Sequence, residues 1–299
     1  MLYDQLCQQV TAKIAAAIET GDTGTWQAPW HHNGTADLFN PTNAFTGRPY
    51  TGANTLILAI AAIEAEYPTG TWATYRQWQQ AGGQVRRGEH GTRCIKWINR
   101  PARSDQANTT DIETRPATVM VPRVFTVFNI TQTSGYQPPT DQRPTPPDPI
   151  PAVEAFITGT GAEIDYGFNT AVYRRLIDRI QVPAINQYNE VEDHYATVLH
   201  ELVHWTGHPT RLNRTFGERN GDDAYAIEEL VAELGAAFAT ARLGITNQPR
   251  PDHASYIGHW LQALDANPRL LFQLATKAQA AVDHLAAYSQ PSTATEEAA

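Results

Sequence analysis

The sequence predicts an α+β protein of two domains, and three observations support this. Its 299 residues suit two domains of roughly 100 to 150 residues each. Repeated prolines in residues 137–151 favour an extended linker, which separates a domain at residues 1–136 from one at residues 152–288. Strand patterns and helix patterns occupy separate stretches of each half, which is typical of the α+β class.

The N-terminal half is predicted to contain three helices followed by a β-hairpin with a polar insert. Apolar spacing ends the first helix near Gly21, and Asn54 is predicted to cap the second. The predicted helices are Leu2–Ile18, Thr55–Glu66 and Thr71–Gln80, and the predicted strands are Arg93–Ile98 and Thr118–Phe128.

The C-terminal half is predicted to place short strands before long helices, with a disordered tail at residues 289–299. The strands are Ala162–Tyr166, Ala171–Tyr173 and Arg179–Val182, and the helices are Glu190–Thr206, Asp223–Leu243, Asp252–Leu264 and Arg269–Tyr288. The segment Arg179–Pro183 alternates polar and apolar residues and ends in proline, so we expect it to be an edge strand to which an extended peptide could pair.

The composition excludes several classes of protein. Of the residues, 41% are hydrophobic and 18% are charged, as in globular proteins. No run approaches the roughly 18 apolar residues of a membrane span, and no signal sequence opens the chain, so we expect a cytoplasmic protein without a membrane partner. Cys7 and Cys94 are too few and too far apart for a disulfide framework or a cysteine zinc site.

The net charge of −9 is unevenly distributed. Residues 1–136 hold 11 Lys/Arg against 10 Asp/Glu, whereas residues 137–299 hold 11 against 21. A basic patch between Arg86 and Arg103 lies in a half rich in aromatic residues, and this combination suits a single strand of DNA, whose bases stack on rings while cations contact phosphates. Most of the rings should nevertheless be core. The residues expected to contact DNA are Arg48, Tyr50, Arg86, Arg87, Arg93 and Lys96.

The pentapeptide His200-Glu201-Leu202-Val203-His204 predicts a metal site. Residues four apart share a helix face, so His200 and His204 can bind one ion. Two imidazoles with an open position for water suit Zn²⁺, with another divalent transition metal such as Mn²⁺ as the alternative. Glu201 is then the expected general base that takes a proton from the water. Asn189 is predicted to cap this helix and Gly207 to end it.

The third ligand is predicted to come from a later helix, because Thr210 stands where the metzincin pattern has a histidine ligand, whereas Glu229 and Glu233 resemble the acidic pair of the gluzincin pattern. Glu229 and Glu233 lie one turn apart, so Glu229 can bind the ion while Glu233 orients a histidine ligand through a hydrogen bond. Glu228 and Glu233 remain alternative ligands, because all three glutamates could belong to a charged helix face. His208 is expected to be a turn residue or a hydrogen-bond donor to the transition state, close to the ligands without being one.

Six segments together resemble the ArdC antirestriction proteins of conjugative plasmids. They are residues 40–54, 82–92, 124–129, 200–208, 211–214 and 226–238. The first three are similar also to the N-terminal domain of TraC-type primases. The resemblance implies a single-stranded DNA-binding domain followed by a zincin-like metallopeptidase domain, which together shield incoming plasmid DNA from host restriction.

Two functions are compatible with this sequence. The first is an active metallopeptidase that DNA binding brings to a restriction-enzyme subunit or another DNA-bound protein. The second is a DNA-binding protective protein whose zincin domain is a structural or interaction module. Glu201 favours retained chemistry, because a structural zinc site does not need a base beside its ligand. A metal-dependent nuclease is disfavoured, since such sites cluster carboxylates around Mg²⁺ or Mn²⁺.

Overall fold

The N-terminal half of this computed structural model contains four helices and six strands among its described residues. The structure describes residues 2–19, 36–101, 118–136, 149–216, 223–245 and 257–288. The elements of the N-terminal half are α1 (Leu2–Glu19), α2 (Ala36–Phe39), β1 (Thr42–Asn43), α3 (Ala53–Glu64), β2 (Thr71–Ala73), α4 (Tyr75–Gln80), β3 (Gln84–Val85), β4 (Thr92–Pro101), β5 (Thr118–Asn129) and β6 (Thr133–Ser134).

Two sheets organise this half. One has the strand order β1-β2-β5-β4, and β3 pairs with β6 in the other. Strands β4 and β5 form a long antiparallel ribbon from the pair Thr92–Val127 to the pair Pro101–Thr118. The predicted hairpin is therefore confirmed. Its polar insert, Gly21, most of the predicted linker and the predicted disordered tail lie outside the described residues.

The C-terminal half has the predicted order of strands before long helices, with one further helix at its start. The elements are α5 (Pro149–Gly159), β7 (Glu163–Tyr166), β8 (Val172–Arg174), β9 (Arg179–Val182), α6 (Val191–Thr206), α7 (Asp223–Leu243), α8 (Ile257–Ala266) and α9 (Leu270–Tyr288). The first of these begins inside the segment predicted as linker, so the last three linker residues are helical. Mixed helices and sheets in both halves confirm the α+β prediction.

Two predicted helix starts were wrong in the N-terminal half. Residues Thr71–Ala73 form a strand because Trp72 pairs with Asn129, and the helix begins only after Thr74, whose side chain accepts a hydrogen bond from the Gln77 backbone. Asn54 does not cap α3, since the cap residue is Gly52.

Asn54 instead forms hydrogen bonds with the backbone at the outer edge of β4. Its side chain donates to the Ile95 carbonyl and accepts from the Ile95 N–H, both at 2.8 Å. One asparagine thus supplies the two hydrogen bonds that a neighbouring strand would make at this point.

Two predictions about the C-terminal half also need correction. The helix α6 starts after Glu190 without a side-chain cap, so Asn189 is not its cap. The segment Arg179–Pro183 is not an edge, because β9 lies between β7 and β8 in a sheet of order β7-β9-β8. The edge strands of this sheet, among the described residues, are therefore β7, which is parallel to β9, and β8, which is antiparallel to it.

The two halves share one hydrophobic core. The buried face of α1, including Leu6 and Ile14, belongs to the same cluster of buried side chains as Leu271 and Leu274 of α9. Polar contacts cross the same junction, where Thr11 donates to the Pro268 carbonyl at 2.8 Å. The halves are thus joined by packing as well as by the chain.

Candidate metal centre and nucleic-acid interface

Helices α6 and α7 bring the predicted metal ligands together. The apolar face of α6, including Val198, Leu199 and Leu202, is fully buried, and this orients the opposite positions toward α7. His200 and His204 are buried, and Glu229 approaches both from α7. The Nε2 atoms of the two histidines lie 3.1 Å apart, and the Glu229 carboxylate oxygens lie 3.5 Å from His200 Nε2 and 3.4 Å from His204 Nε2.

These distances fit a tetrahedral metal ion. Metal bonds of about 2.0 to 2.1 Å at tetrahedral angles separate neighbouring donor atoms by about 3.3 Å. The three observed separations bracket that value, with Glu229 Oε2 nearest His200 and Oε1 nearest His204, and the three residues offer ligand atoms within 4.8 Å of one another. Two imidazoles and one carboxylate suit Zn²⁺ and other divalent transition metals. Glu228 and Glu233, the alternative ligands, approach the other ring nitrogens.

Each histidine has a glutamate oxygen near its Nδ1 atom, on the side of the ring away from the proposed metal position. Glu233 lies 2.8 Å from His200 Nδ1, as predicted for the orienting residue, and Glu228 lies 3.4 Å from His204 Nδ1. A carboxylate at Nδ1 keeps the proton on that nitrogen and leaves the Nε2 lone pair free for the metal.

Arg214 is a further residue of this centre, and no sequence pattern assigns it a role there. Its buried guanidinium binds both carboxylate oxygens of Glu228, with Nη2 at 2.7 Å from Oε1 and Nε at 3.1 Å from Oε2. The spacing of Arg211 and Arg214 after the metal motif is visible in the sequence, but it does not reveal which of them turns back to the helix.

Buried negative charge dominates the electrostatics of the centre. Burial lowers the pKa of His204, but the carboxylates of Glu229, Glu228 and Glu201 outweigh burial and raise its pKa to about 10. Burial opposes ionisation of Glu229, yet His204 and His200 hold the pKa of that carboxyl well below its usual range. Four glutamates, the fourth being Glu233, surround two imidazoles, so the centre favours a bound cation.

Gly207 ends α6, as predicted. Its φ is ordinary, so the requirement for glycine is one of space: an added Cβ would lie 2.4 Å from the Phe216 ring, which packs beside His204. His208 follows in the turn, where its Nδ1 lies 2.7 Å from Thr210 Oγ1. The turn role predicted for His208 agrees with this geometry, and its role as a hydrogen-bond donor to the transition state stays a prediction.

Arg211 connects this turn to the β8–β9 loop through an ion pair. Its guanidinium stacks on the Trp205 ring at 3.7 Å and pairs with Asp178, which has a positive φ of 53°. The Arg211 hydrogen bonds hold the pKa of Asp178 below its usual range. Tyr173 of β8 donates its hydroxyl to the same carboxylate, so the edge strand and the metal helix are tied together.

The six predicted DNA contacts fall on separate features of the N-terminal half. Arg86 and Arg87 line an open hollow of about 600 Å³, where Arg86 pairs with Glu89. Arg48 is exposed at a turn. Tyr50 is half-buried, packs against the core and accepts a hydrogen bond from Asn43, so its ring has a structural role.

Arg93 and Lys96 lie on opposite faces of the ribbon, since an odd number of positions separates them on β4. Lys96 stands directly opposite Arg123 of β5, and Arg100 follows on the same face. Like charges in this arrangement repel one another, and no carboxylate pairs with these three side chains in the part of the chain that the structure describes. We call Lys96, Arg100 and Arg123 the ribbon cations.

The aromatic residues divide as expected. Trp72 and Trp78 are fully buried core residues, whereas Trp97 is 52% exposed and Tyr75 is 42% exposed. Trp97 projects from the ribbon face opposite the ribbon cations. Trp26 and Trp30 lie outside the described residues. Burial is a tertiary property that single-residue composition does not predict.

The fold and the centre together define a two-domain protein with a zincin-like C-terminal domain. Residues 151–277 match the family model described as a zincin-like metallopeptidase, and residues 4–128 match the N-terminal domain of the anti-restriction factor ArdC. The chain belongs to the ArdC family.

Solved structures and sequence relatives agree with this assignment. Two crystal structures of the antirestriction ArdC protein from the R388 plasmid, one metal-free and one Mn(II)-bound, share 34% identity with the chain. They have TM-scores of 0.77 and 0.76, cover 95% and 96% of this chain, and are themselves covered to 97% and 99%.

An uncharacterized Sinorhizobium fredii protein, y4eC, is 39% identical over 92% of this chain and 90% of its own length. An Escherichia coli DNA primase TraC is 36% identical over 95% of this chain, which spans only 27% of that primase. No helix among the described residues is long and apolar enough to cross a membrane.

Proposed function

We propose that this protein is an antirestriction factor that binds single-stranded DNA and cleaves a protein bound to that DNA, with a divalent metal ion in the α6–α7 centre. The observation that carries the proposal is the buried Glu201 carboxylate, which directly follows one histidine ligand on α6. When bound, the metal supplies a Lewis acid and an acidified water. His200, His204 and Glu229 would hold the ion, and Glu201, which is next to His200 in the sequence, would accept a proton from that water.

The test compares the wild-type chain with Glu201→Gln in plasmid transfer into a restricting host. Glu192→Gln, on the same helix but away from the ligands, is the matched control. We expect Glu201→Gln to keep its metal and its DNA affinity and to lose protection, whereas the control protects normally. Alanine substitution of His200, His204 or Glu229 should lower metal content. Unchanged protection by Glu201→Gln would refute the peptidase role and favour the DNA-shielding function, in which the zincin domain is an interaction module.

The DNA-binding part of the proposal is supported by the ribbon cations, which lie on one face of the ribbon and have no carboxylate partner among the described residues. Phosphate contacts release counterions, with a salt slope of about −0.7 per contact on single strands. Lys96→Gln/Arg123→Gln should therefore reduce the slope by about 1.4 in binding to an oligothymidylate. Arg242→Gln/Lys277→Gln, which removes two exposed charges from the C-terminal helices, is the control. Equal slopes for the two double variants would refute the assignment of this face.

The proposed partners are single-stranded DNA and a host protein bound to it, such as a restriction-enzyme subunit, and the proposed location is the cytoplasm. Zn²⁺ is the proposed ion because two imidazoles outnumber the single carboxylate, with Mn²⁺ as the alternative. Metal analysis of protein purified without added metal distinguishes the two.

A further inference from the structure

Arg214 lies at the end of a chain of contacts that starts at a metal ligand. His204 Nδ1 lies 3.4 Å from Glu228 Oε1, and the same oxygen accepts from Arg214 Nη2 at 2.7 Å. Arg214 also donates to Thr206 Oγ1 at 2.7 Å and to the Val203 carbonyl, both in the last turn of α6. One buried side chain therefore links the end of the metal helix to the helix that carries Glu229.

Charge explains why this site needs a guanidinium. Glu228 and Glu229 are neighbours on α7, and both approach His204. Two adjacent carboxylates in a buried site repel one another, and a cation that binds one of them offsets this repulsion. The fork of an arginine can bind both oxygens of a carboxylate at once and keeps its charge when buried.

The position of the Glu228 carboxylate determines how the His204 ring is oriented. An anionic Glu228 accepts the Nδ1 proton of His204, which fixes the ring orientation and directs the Nε2 lone pair toward His200 and Glu229. Without its two hydrogen bonds from Arg214, the Glu228 side chain could turn away from His204, and the ring would lose this contact.

We propose that Arg214 is a positioning residue for the metal, which acts through Glu228 to orient His204 and to raise the affinity of the centre for a divalent ion. This proposal rests on the metal binding proposed above, but it does not depend on peptidase activity. Arg214 lies in the loop that follows α6, so this loop would contribute to metal binding without providing a ligand.

Arg211 provides a matched control. It belongs to the same loop, its side chain is 9% exposed against 6% for Arg214, and it too forms an ion pair. Its partners are Asp178, the Trp205 carbonyl and the Tyr173 hydroxyl, and none of the hydrogen bonds described for these groups goes to the side chain of His200, His204 or Glu229. Arg211→Met therefore removes a similarly buried cation without removing a hydrogen bond of the His204 ring.

The experiment measures the affinity of the full-length chain for Zn²⁺ by chelator competition, and the d–d absorption bands of the Co²⁺-loaded protein. Arg214→Met should lower the affinity by about 10- to 100-fold, as expected for loss of a residue that orients a ligand. Its Co²⁺ bands should shift, and Arg211→Met should stay within about threefold of wild type with unchanged bands. Arg214→Lys should lie between, because lysine restores the charge but not the fork.

Three outcomes would overturn the role of Arg214. They are wild-type affinity in Arg214→Met, an equal loss in both methionine variants, or unchanged Co²⁺ bands. If Arg214→Met does not fold, Arg214→Lys carries the same comparison against Arg211→Lys. Absence of metal binding by the wild-type chain would instead refute the proposed metal centre, so the two failures are distinguishable.

Discussion

Gly235 allows α7 to approach α6 closely enough to complete the metal centre. A Cβ at this position would lie 2.7 Å from Val203 Cγ2 and 2.9 Å from Cγ1. Carbon atoms in good contact are about 3.5 to 4.0 Å apart, so Gly235→Ala requires the helices to separate by roughly 0.8 Å. The same separation would pull Glu229 away from both histidines.

Stability and metal affinity should respond differently to this substitution. Overpacking costs about 1 to 3 kcal/mol, and the better helix propensity of alanine offsets about 1 kcal/mol, so the net destabilisation is about 0 to 2 kcal/mol. The donor atoms, by contrast, tolerate displacements of only about 0.5 Å, so Zn²⁺ affinity should fall on the order of 10-fold.

Chelator competition and urea unfolding, applied to a double-mutant cycle, check this reasoning. Val203→Ala removes the two methyl groups that the new Cβ would meet. The double variant should therefore recover most of the metal affinity and show a favourable coupling of about 1 kcal/mol. If Gly235→Ala binds Zn²⁺ as tightly as the wild type, or if Val203→Ala restores nothing, the close approach at this position does not set the geometry of the centre.

Two further predictions concern the polar contacts that hold each half together. Asn54→Ala should lower the free energy of unfolding, measured in urea, by about 1 to 3 kcal/mol, because the backbone N–H and carbonyl of Ile95 both lose their partner. An unchanged free energy of unfolding would mean that water replaces the asparagine side chain. Asp178 has a lowered folded pKa because of Arg211, so its contribution to stability is present above its unfolded pKa of about 3.9 and is lost as pH falls through the folded value. The free energy of unfolding should therefore fall less between pH 6 and pH 3 in Asp178→Asn than in the wild type. An equal fall in both proteins would contradict the ion pair.

The metal helix could be predicted from the sequence because its signals are local. The histidines, the apolar positions between them and Gly207 all lie within one short segment, and each follows from the geometry of a single helix. Glu229 could be chosen because it and Glu233 resemble the acidic pair of the gluzincin pattern and, by helix periodicity, share a face. The structure supports that choice by bringing Glu229 to both histidines.

The errors arose where distant segments decide local structure. Residues Thr71–Ala73 have a helix-compatible pattern, but pairing with β5 makes them a strand. The segment Arg179–Pro183 has the sequence of an edge strand, yet β7 and β8 cover both of its sides. Arg123 was overlooked for the same reason, because only the register of the ribbon places it opposite Lys96.

The core that the two halves share affects whether either half can exist without the other. A fragment ending near residue 136 would leave the apolar face of α1 exposed to water, since α8 and α9 cover it in the whole chain. Separating the two halves would thus expose an apolar surface on each of them, so the halves are not independent folding units. The match to TraC, which extends over 95% of this chain, fits a unit that is copied into longer proteins with both halves together.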